Sequence, residues 1–272
     1  MEIALTTGIW RLGVALLGLL FFAGWEWARP FRPPTQTRTT HYLTNLTFAA
    51  VNAITLNILI SSLVVLYYDT LAHHRLGLFR RLELSDMANL IASFVFLDFI
   101  AYVWHRAYHE WPLLWRLHKV HHSDRDLDVT SASRFHILEE TLSIAFKMLV
   151  GLAWGPSALA MAVYEAALLT MAQFQHVNIK LPGSSDRWIQ KLLVTPNMHR
   201  IHHSDIPIQT NSNYSNLFSI WDRMFGTYTS EENQHRIVFG LKGYPRINDV
   251  SLRKLFWMPF TAKEAAGETA IR

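Results

Sequence analysis

Residues 88 to 122 read ANLIASFVFLDFIAYVWHRAYHEWPLLWRLHKVHH, so an apolar run passes directly into a segment rich in histidine. The apolar run from Ala88 to Trp104 is close to the length of a helix that crosses the roughly 30 Å hydrocarbon core of a bilayer. Five histidines lie between His105 and His122, where an even distribution of the 14 histidines in the chain would place about one. The segment therefore predicts a membrane-crossing helix that ends in a histidine-rich site.

The composition of the 272-residue chain limits the classes of protein that it can form. Half of the residues are hydrophobic and 17% are charged, which is more apolar than an ordinary soluble domain and excludes a disordered chain. The absence of Cys excludes a disulfide framework, a zinc-thiolate site, an iron-sulfur cluster and a cysteine nucleophile. Any bound metal must therefore be held by nitrogen and oxygen atoms.

Apolar runs elsewhere in the chain predict further spans, over residues 9–27 and 46–68. A cleaved signal peptide is the alternative for the first run, but the run is long for one and no small-residue cleavage site follows. Residues 141–175 form a longer run that is broken once at Gly155-Pro156, which predicts a helical hairpin. Together with residues 88–104, these runs predict an all-α, multi-pass membrane bundle of about four transmembrane segments.

The basic residues indicate how this bundle is oriented. Lys and Arg number three in residues 29–45, three in 69–87, five in 105–136 and twelve from 176 onward. If the first connection is cytosolic, alternation of the spans places 20 of the 25 basic residues in the cytosol, in agreement with the positive-inside rule. Because no basic run is longer than two, we attribute the net charge of +4 to orientation and expect no nucleic-acid partner.

The whole chain, residues 1–272, is thus predicted to form one membrane-embedded domain. Residues 105–136 and 176–260 are expected to form a cytosolic, helical, histidine-rich cap, and the tail from Ala262 to Arg272 is expected to fray. Inside the hairpin, Lys147 and Glu165 are each nine positions from the break at Pro156. We predict that they pair across the hairpin, because an unpaired charge at that depth is unfavourable.

Three histidine boxes contain eight of the 14 histidines. On a helix, positions i and i+4 lie on one face, so His105 and His109 can converge on one ion. In the pattern His-x-x-His-His, which occurs twice, the i+3 and i+4 imidazoles are adjacent enough to reach two different ions. Isolated histidines are more often capped, exposed or satisfied within the core, and this is our interpretation of His41, His73, His74 and His235.

The number of histidines bears on the identity of the metal. Zinc uses three protein ligands in catalytic sites and four in structural sites, so eight or more histidines are too many for one zinc. Two ions with five or six ligands each would use them. Imidazole suits iron, copper and zinc alike, but a redox metal with open positions can bind O₂ beside an apolar substrate. Because no site for a hydrolysable headgroup is evident, we favour two irons.

The order of the boxes is His-x-x-x-His, then His-x-x-His-His nine residues later, then His-x-x-His-His after a hydrophobic hairpin. Flanking segments add WHR at 104–106, LWR at 114–116, HHS at 121–123, RFH at 134–136 and WDRMFGT at 221–227. Over about residues 90 to 230, these motifs resemble the fatty acid hydroxylase and sterol desaturase superfamily.

The resemblance implies a di-iron centre and a chemistry. The implied ligands are His105, His109, His118, His121, His122, His199, His202 and His203. The implied reaction is O₂-dependent hydroxylation or desaturation of a C–H bond in a sterol, fatty acyl, ether or carotenoid-like lipid. The chain has no dinucleotide-binding glycine fingerprint and no haem module, so we expect a separate electron-transfer protein that draws ultimately on NAD(P)H.

Two further histidines lie close to the implied centre. His176 ends the hairpin on the side where the boxes must meet, and it is either a ligand or a hydrogen-bond donor to one. Some fatty acyl hydroxylases of this type carry a second histidine four residues before that position, where this chain has Ala172. His136 begins the hairpin, and we expect it to support a ligand rather than to be one.

Carboxylates near the boxes are candidates to orient the ligands, because metal-bound imidazoles usually donate their other N–H to a carboxylate or carbonyl. Glu110, Asp124 and Asp128 are the nearest in sequence. Asp98 lies two helical turns before His105 on the same face. It is either a further ligand, a support for a ligand, or an interior polar residue whose hydrogen bonds are satisfied by water.

Two other functions remain open on the sequence alone. A histidine-rich metal transporter predicts metal flux without O₂ consumption and histidines spread along the spans. The hypothesis of a zinc-dependent membrane hydrolase is weakened because the His-Glu-x-x-His arrangement is absent. Glu110 follows His109, but position 113 is Leu.

Overall fold

The computed structural model describes residues 2–74, 76–82 and 84–261, so the tail expected to fray, Ala262 to Arg272, lies outside the described residues. Every regular element within these ranges is helical, and they contain no β-strand. The predicted all-helical fold is confirmed.

Five long helices form the bundle: α1 (Glu2–Ala28), α2 (Arg38–His73), α4 (Asp86–Glu110), α6 (Ile137–Trp154) and α7 (Ala158–His176). Seven shorter helices connect or extend them: α3 (Leu78–Arg81), α5 (Pro112–His122), α8 (Gly183–Ile189), α9 (Pro196–His202), α10 (Pro207–Thr210), α11 (Ile220–Met224) and α12 (Leu252–Trp257). Single 3₁₀ turns cover Val129–Ser133, Gln234–Arg236, Ile247–Val250 and Met258–Phe260.

Two of the described helices are long and apolar enough to cross a membrane, over Arg38–Tyr67 in α2 and Asp86–Glu110, which is α4. A shorter apolar stretch, Leu12–Ala28, lies in α1. Helix α2 begins eight residues before the predicted span because the Thr37 hydroxyl accepts a hydrogen bond from the backbone N–H of Thr40 and caps its first turn.

Helix α4 extends beyond its predicted span at the histidine end. It continues to Glu110 and stops before Pro112, because a proline disfavours helical geometry in the residue that precedes it. The first histidine box therefore lies on the last turns of α4 itself, and α5 begins immediately after it.

The predicted hairpin corresponds to α6 and α7. Gly155 ends α6 with φ of +73°, a left-handed conformation that favours glycine, and the Ser157 hydroxyl caps α7. The Lys147 ammonium lies 2.7 Å from the Glu165 carboxylate, so the predicted pairing across the hairpin is confirmed.

Helix α7 packs between α1 and α4, and α6 packs against α2 and α5. The outward faces of the long helices are apolar and exposed, for example Leu20 on α1 (70%) and Ile58 on α2 (75%). Extended exposed apolar surface marks a membrane or protein contact. The polar residues are concentrated at one end of the bundle, where α5, α9 and the ends of α4 and α7 meet.

Candidate metal centre

Nine histidines gather at this end of the bundle in two groups, each with its candidate ligand nitrogens within 4.8 Å of one another. The first cluster comprises His105, His109, His118, His122 and His202. The second cluster comprises His121, His176, His199 and His203. All eight box histidines are therefore brought together, and His176 joins them.

The two His-x-x-His-His boxes are interlocked between the clusters. In α5, His118 and His122 face the first cluster while His121 faces the second. In the third box, on α9 and the residue after it, the two clusters exchange places: His199 and His203 face the second cluster and His202 faces the first. Each box thus contributes its i and i+4 imidazoles to one cluster and its i+3 imidazole to the other, as the helical spacing allows.

Local sequence explains how α9 presents its histidines. The Thr195 hydroxyl caps the helix and Pro196 occupies its first position, where a missing N–H has no consequence. The segment that follows is held by Asn213, which has a positive φ of 54°. The Asn213 amide donates to the Met198 carbonyl at 3.1 Å, so the returning chain packs directly against the box helix.

Hydrogen bonds to backbone carbonyls determine which nitrogen is free to bind a metal in two rings of the first cluster. His105 Nδ1 lies 2.8 Å from the Tyr214 carbonyl oxygen and His202 Nδ1 lies 2.7 Å from that of Ser212. A carbonyl oxygen only accepts, so both Nδ1 atoms donate and both neutral rings carry a lone pair on Nε2. These two Nε2 atoms lie 3.1 Å apart, and His118 Nε2 lies 3.2 Å from His105 Nε2.

The second cluster shows the same arrangement. His176 Nδ1 donates to the Ala172 carbonyl at 2.6 Å, which leaves a lone pair on Nε2. That Nε2 atom lies 3.1 Å from the Nε2 atoms of both His121 and His199, and His203 Nε2 lies 3.1 Å from His199 Nε2. Two nitrogens bound to one ion at about 2.1 Å lie about 3.0 to 3.4 Å apart for right-angle to tetrahedral geometry. The spacing of the rings therefore fits a shared cation in each cluster.

Burial also favours the neutral form of these imidazole side chains. Burial and the neighbouring imidazoles lower the pKa of six rings well below its usual value: His118, His121, His122, His199, His202 and His203. Neutral imidazole is the form that binds a metal ion, so the lowered pKa values fit a metal-binding role for these rings.

Glu139 is the carboxylate that contacts a cluster histidine, and the sequence analysis did not assign it this role. Its Oε1 atom accepts from His118 Nδ1 at 2.5 Å, so His118 also points its Nε2 atom into the first cluster. The Glu139 side chain is buried, and positive charge in the cluster would favour its ionised form. The pair is separated by 21 residues, and no local pattern signals it.

The carboxylates proposed from sequence proximity lie elsewhere. Glu110 accepts from Arg106 Nε at 2.6 Å, and Asp124 and Asp128 both contact His41. Asp98 accepts from the backbone N–H of Phe218 and from Trp221 Nε1, so it attaches the chain around α11 to α4.

The remaining histidines lie outside both clusters. His136 caps α6 by accepting from the Leu138 N–H, and its other nitrogen donates to the Phe256 carbonyl at 3.2 Å. His41 is buried and fully hydrogen-bonded, which agrees with its interpretation as a satisfied core residue. His235 is exposed and stacks on Phe31, while His73 and His74 are exposed at the end of α2.

The fold and the two clusters together define an all-helical protein with a histidine-rich centre at one end of its bundle. The family model described as fatty acid hydroxylase matches residues 90–227, which contain all nine histidines. The chain belongs to the fatty acid hydroxylase family.

Curated relatives share this segment. The chain is 32% identical over 149 residues to alkylglycerol monooxygenase of Xenopus tropicalis, a match that covers 55% of this chain and 32% of that protein. It is 27% identical over 154 residues to ornithine lipid hydroxylase OlsE of Rhizobium tropici, covering 57% and 46%. Cholesterol 25-hydroxylase of Rattus norvegicus is 28% identical over 171 residues, covering 58% and 53%. The chain thus spans about a third to a half of the length of these relatives, and no solved structure matches it.

Proposed function

We propose that the protein is a membrane-bound oxidoreductase that holds two irons in its histidine clusters and uses O₂ to hydroxylate a C–H bond of a lipid. The observation that carries this proposal is the set of nine convergent imidazoles, whose Nε2 atoms approach one another at 3.1 to 3.2 Å in both clusters. In the first cluster the Nε2 lone pairs of His105 and His202 face each other. Lone pairs at that distance repel unless a cation lies between them, and two clusters call for two cations.

The ligand count supports iron. Five histidines in the first cluster exceed the three or four ligands of a zinc site, whereas iron accepts five or six. The four histidines of the second cluster leave coordination positions for O₂ or water. When bound, a pair of redox-active irons supplies the O₂ activation that no amino-acid side chain can supply.

Backbone carbonyls and one carboxylate of the protein orient the imidazoles. The Tyr214, Ser212 and Ala172 carbonyls and the Glu139 carboxylate hold the ring orientations, so that the ligand atoms converge before metal binds. All nine histidines are buried or half-buried, which restricts water at a centre whose oxidant would otherwise be lost to side reactions.

Membrane embedding fits a lipid substrate. We propose that α1, α2, α4 and the α6–α7 hairpin lie in the bilayer and that the histidine end with the C-terminal region faces the cytosol. Two candidate spans, the exposed apolar faces of α1 and α2, and the 20 basic residues in the predicted cytosolic segments support this topology.

Hydroxylation is favoured over desaturation, because the three relatives are named as monooxygenases or hydroxylases. Those names refer to an alkylglycerol, an ornithine lipid and cholesterol. These three lipid classes therefore form the first substrate panel for this chain.

Electrons would come from a separate carrier that docks on the basic cytosolic face. Complementary charge accelerates such encounters, and salt screens it. Turnover with an acidic carrier should therefore slow as ionic strength rises, and a rate that does not change with salt would contradict electrostatic docking.

The experiment is turnover of the lipid panel by the purified full-length protein under isotopically labelled O₂, with reductant supplied and products analysed by mass spectrometry. A product that carries one labelled oxygen atom supports the proposal. Metal flux in vesicles without O₂ uptake would favour a transporter, and label-independent hydrolysis with bound zinc would favour a hydrolase; each result would overturn it.

A further inference from the structure

A buried ionic network joins α2 to the helix that carries the second histidine box. His41, near the start of α2, is 1% exposed and bonds two carboxylates at once. Its Nδ1 lies 2.5 Å from Asp128 Oδ2 and its Nε2 lies 2.7 Å from Asp124 Oδ1. Neither carboxylate belongs to a histidine box.

The surroundings of His41 favour its charged form. Asp124 Oδ2 also accepts from Ser131 Oγ at 2.7 Å, and Asp128 Oδ1 accepts from the Thr130 N–H and hydroxyl at 2.8 and 2.6 Å. Both ring nitrogens of His41 face a carboxylate oxygen, and Asn45 Nδ2 lies 3.3 Å from His41 Nε2. Two carboxylates against one ring favour the imidazolium form of His41.

Arg134 supplies the second cation and makes the link to α5. It is 1% exposed, and its Nη1 donates to Asn45 Oδ1 on α2 at 2.9 Å. Its Nε donates to the Val120 carbonyl at 3.2 Å and its Nη2 to Ser123 Oγ at 3.0 Å. Arg134 Nη1 also lies 4.0 Å from Asp124 Oδ1, so His41 and Arg134 are two cations that face these carboxylates, and Arg134 holds the last turn of α5.

The position of these contacts connects the network to the histidine clusters. Val120 and Ser123 flank His121 and His122, which face different clusters. A small rotation of this turn would move both imidazoles away from their ions. A buried ion network often stabilises a fold less than apolar packing would, and this one makes its contacts at the turn that carries both imidazoles.

His41 also lies outside residues 90–227, the segment matched by the family model. The clusters are therefore supported from a helix of the N-terminal region that this match does not include.

We propose that His41 is a positioning residue for the metal centre: its imidazolium, held between Asp124 and Asp128, fixes the last turn of α5 and thereby the orientation of His121 and His122. This inference rests on the proposed function, because it requires that the clusters bind metal.

The test compares His41→Gln with the double variant His41→Gln/Asp128→Asn in the full-length protein loaded with Co²⁺. Removing the imidazolium leaves one excess buried negative charge, and the double variant removes that excess while its new amide side chain can still cap the 3₁₀ turn. His74→Gln, an exposed substitution at the other end of α2, is the matched control. The readouts are the affinity for Co²⁺ and the visible absorption of the bound ion, which reports its ligand geometry.

For His41→Gln we expect Co²⁺ affinity to fall by about tenfold to a hundredfold, with an altered absorption spectrum. The double variant should recover much of both, and His74→Gln should match the wild type. If His41→Gln does not fold, Asn45→Ala, which removes the acceptor of Arg134 Nη1, is expected to show the same spectral change.

Three results would contradict the proposals in distinguishable ways. A lowered melting temperature with unchanged affinity and spectrum, in His41→Gln or in Asn45→Ala, would show that the network only stabilises the fold. A double variant no better than His41→Gln would contradict the charge-balance argument. Failure of the wild type to bind Co²⁺ would instead contradict the proposed metal centre itself.

Discussion

The Nε2 atoms of His105 and His202 lie 3.1 Å apart, although each ring donates its Nδ1 proton to a backbone carbonyl. The two residues are separated by 97 positions and belong to different helices. Their facing lone pairs leave no hydrogen bond to hold the contact together. We propose that both rings bind one cation, which would explain the arrangement.

Glu139→Gln tests the carboxylate that orients His118. Glutamine keeps the shape of the side chain but removes its charge, so we expect metal affinity to fall by about tenfold to a hundredfold. Competition with a chelator measures this change, and the exposed substitution Glu232→Gln is the control. Equal affinities in the two variants would show that His118 needs no carboxylate partner.

His176→Ala tests whether His176 is a metal ligand, which the sequence left undecided. The ring is one of four in the second cluster, so its loss should lower the metal content toward one ion per chain, as His121→Ala also should. His235→Ala, outside both clusters, should retain all bound metal. If His121→Ala loses metal and His176→Ala does not, His176 is a neighbour of the site rather than a ligand.

His136→Ala should separate a structural histidine from the ligands. Its Nδ1 atom caps α6, and loss of a helix cap lowers the free energy of unfolding by about 1 kcal/mol. Metal content per folded chain should stay unchanged, which metal analysis of the purified protein measures. Loss of bound metal in this variant would contradict the position of His136 outside the clusters.

Lys147→Met tests the ion pair of the hairpin. The 2.7 Å contact with Glu165 is a charge-assisted hydrogen bond, so its loss should lower the stability of the protein by about 1.5 to 3 kcal/mol. The double variant Lys147→Met/Glu165→Leu should be more stable than the single variant, because it removes the carboxylate together with its cation. Unfolding in detergent measures both; identical stability of wild type and Lys147→Met would contradict a role for the pair.

The sequence predicted features that depend on local pattern. Apolar runs located the long helices, and the i, i+3, i+4 spacing of the boxes agrees with the position of His121 and His122 in different clusters. The Gly155-Pro156 break located the hairpin, because glycine readily adopts the left-handed conformation that ends α6 and proline cannot continue a helix.

Some features that depend on distant contacts were not predicted. Glu139 meets His118 only because α6 packs against α5, and the carboxylates nearest the boxes in sequence pair with Arg106 and His41 instead. The second predicted span also begins at residue 46, eight residues after the first residue of α2. His41 and Asn45 are polar residues that pack against the histidine end of the protein rather than lipid, and a local apolar average cannot register that.

The most direct test of the central claim is the iron content of the full-length protein after expression with ample iron, measured beside His202→Ala. The account predicts two irons per chain in the wild type and about one when a ligand of the first cluster is removed. One zinc per chain in the wild type, or two irons retained in His202→Ala, would contradict it.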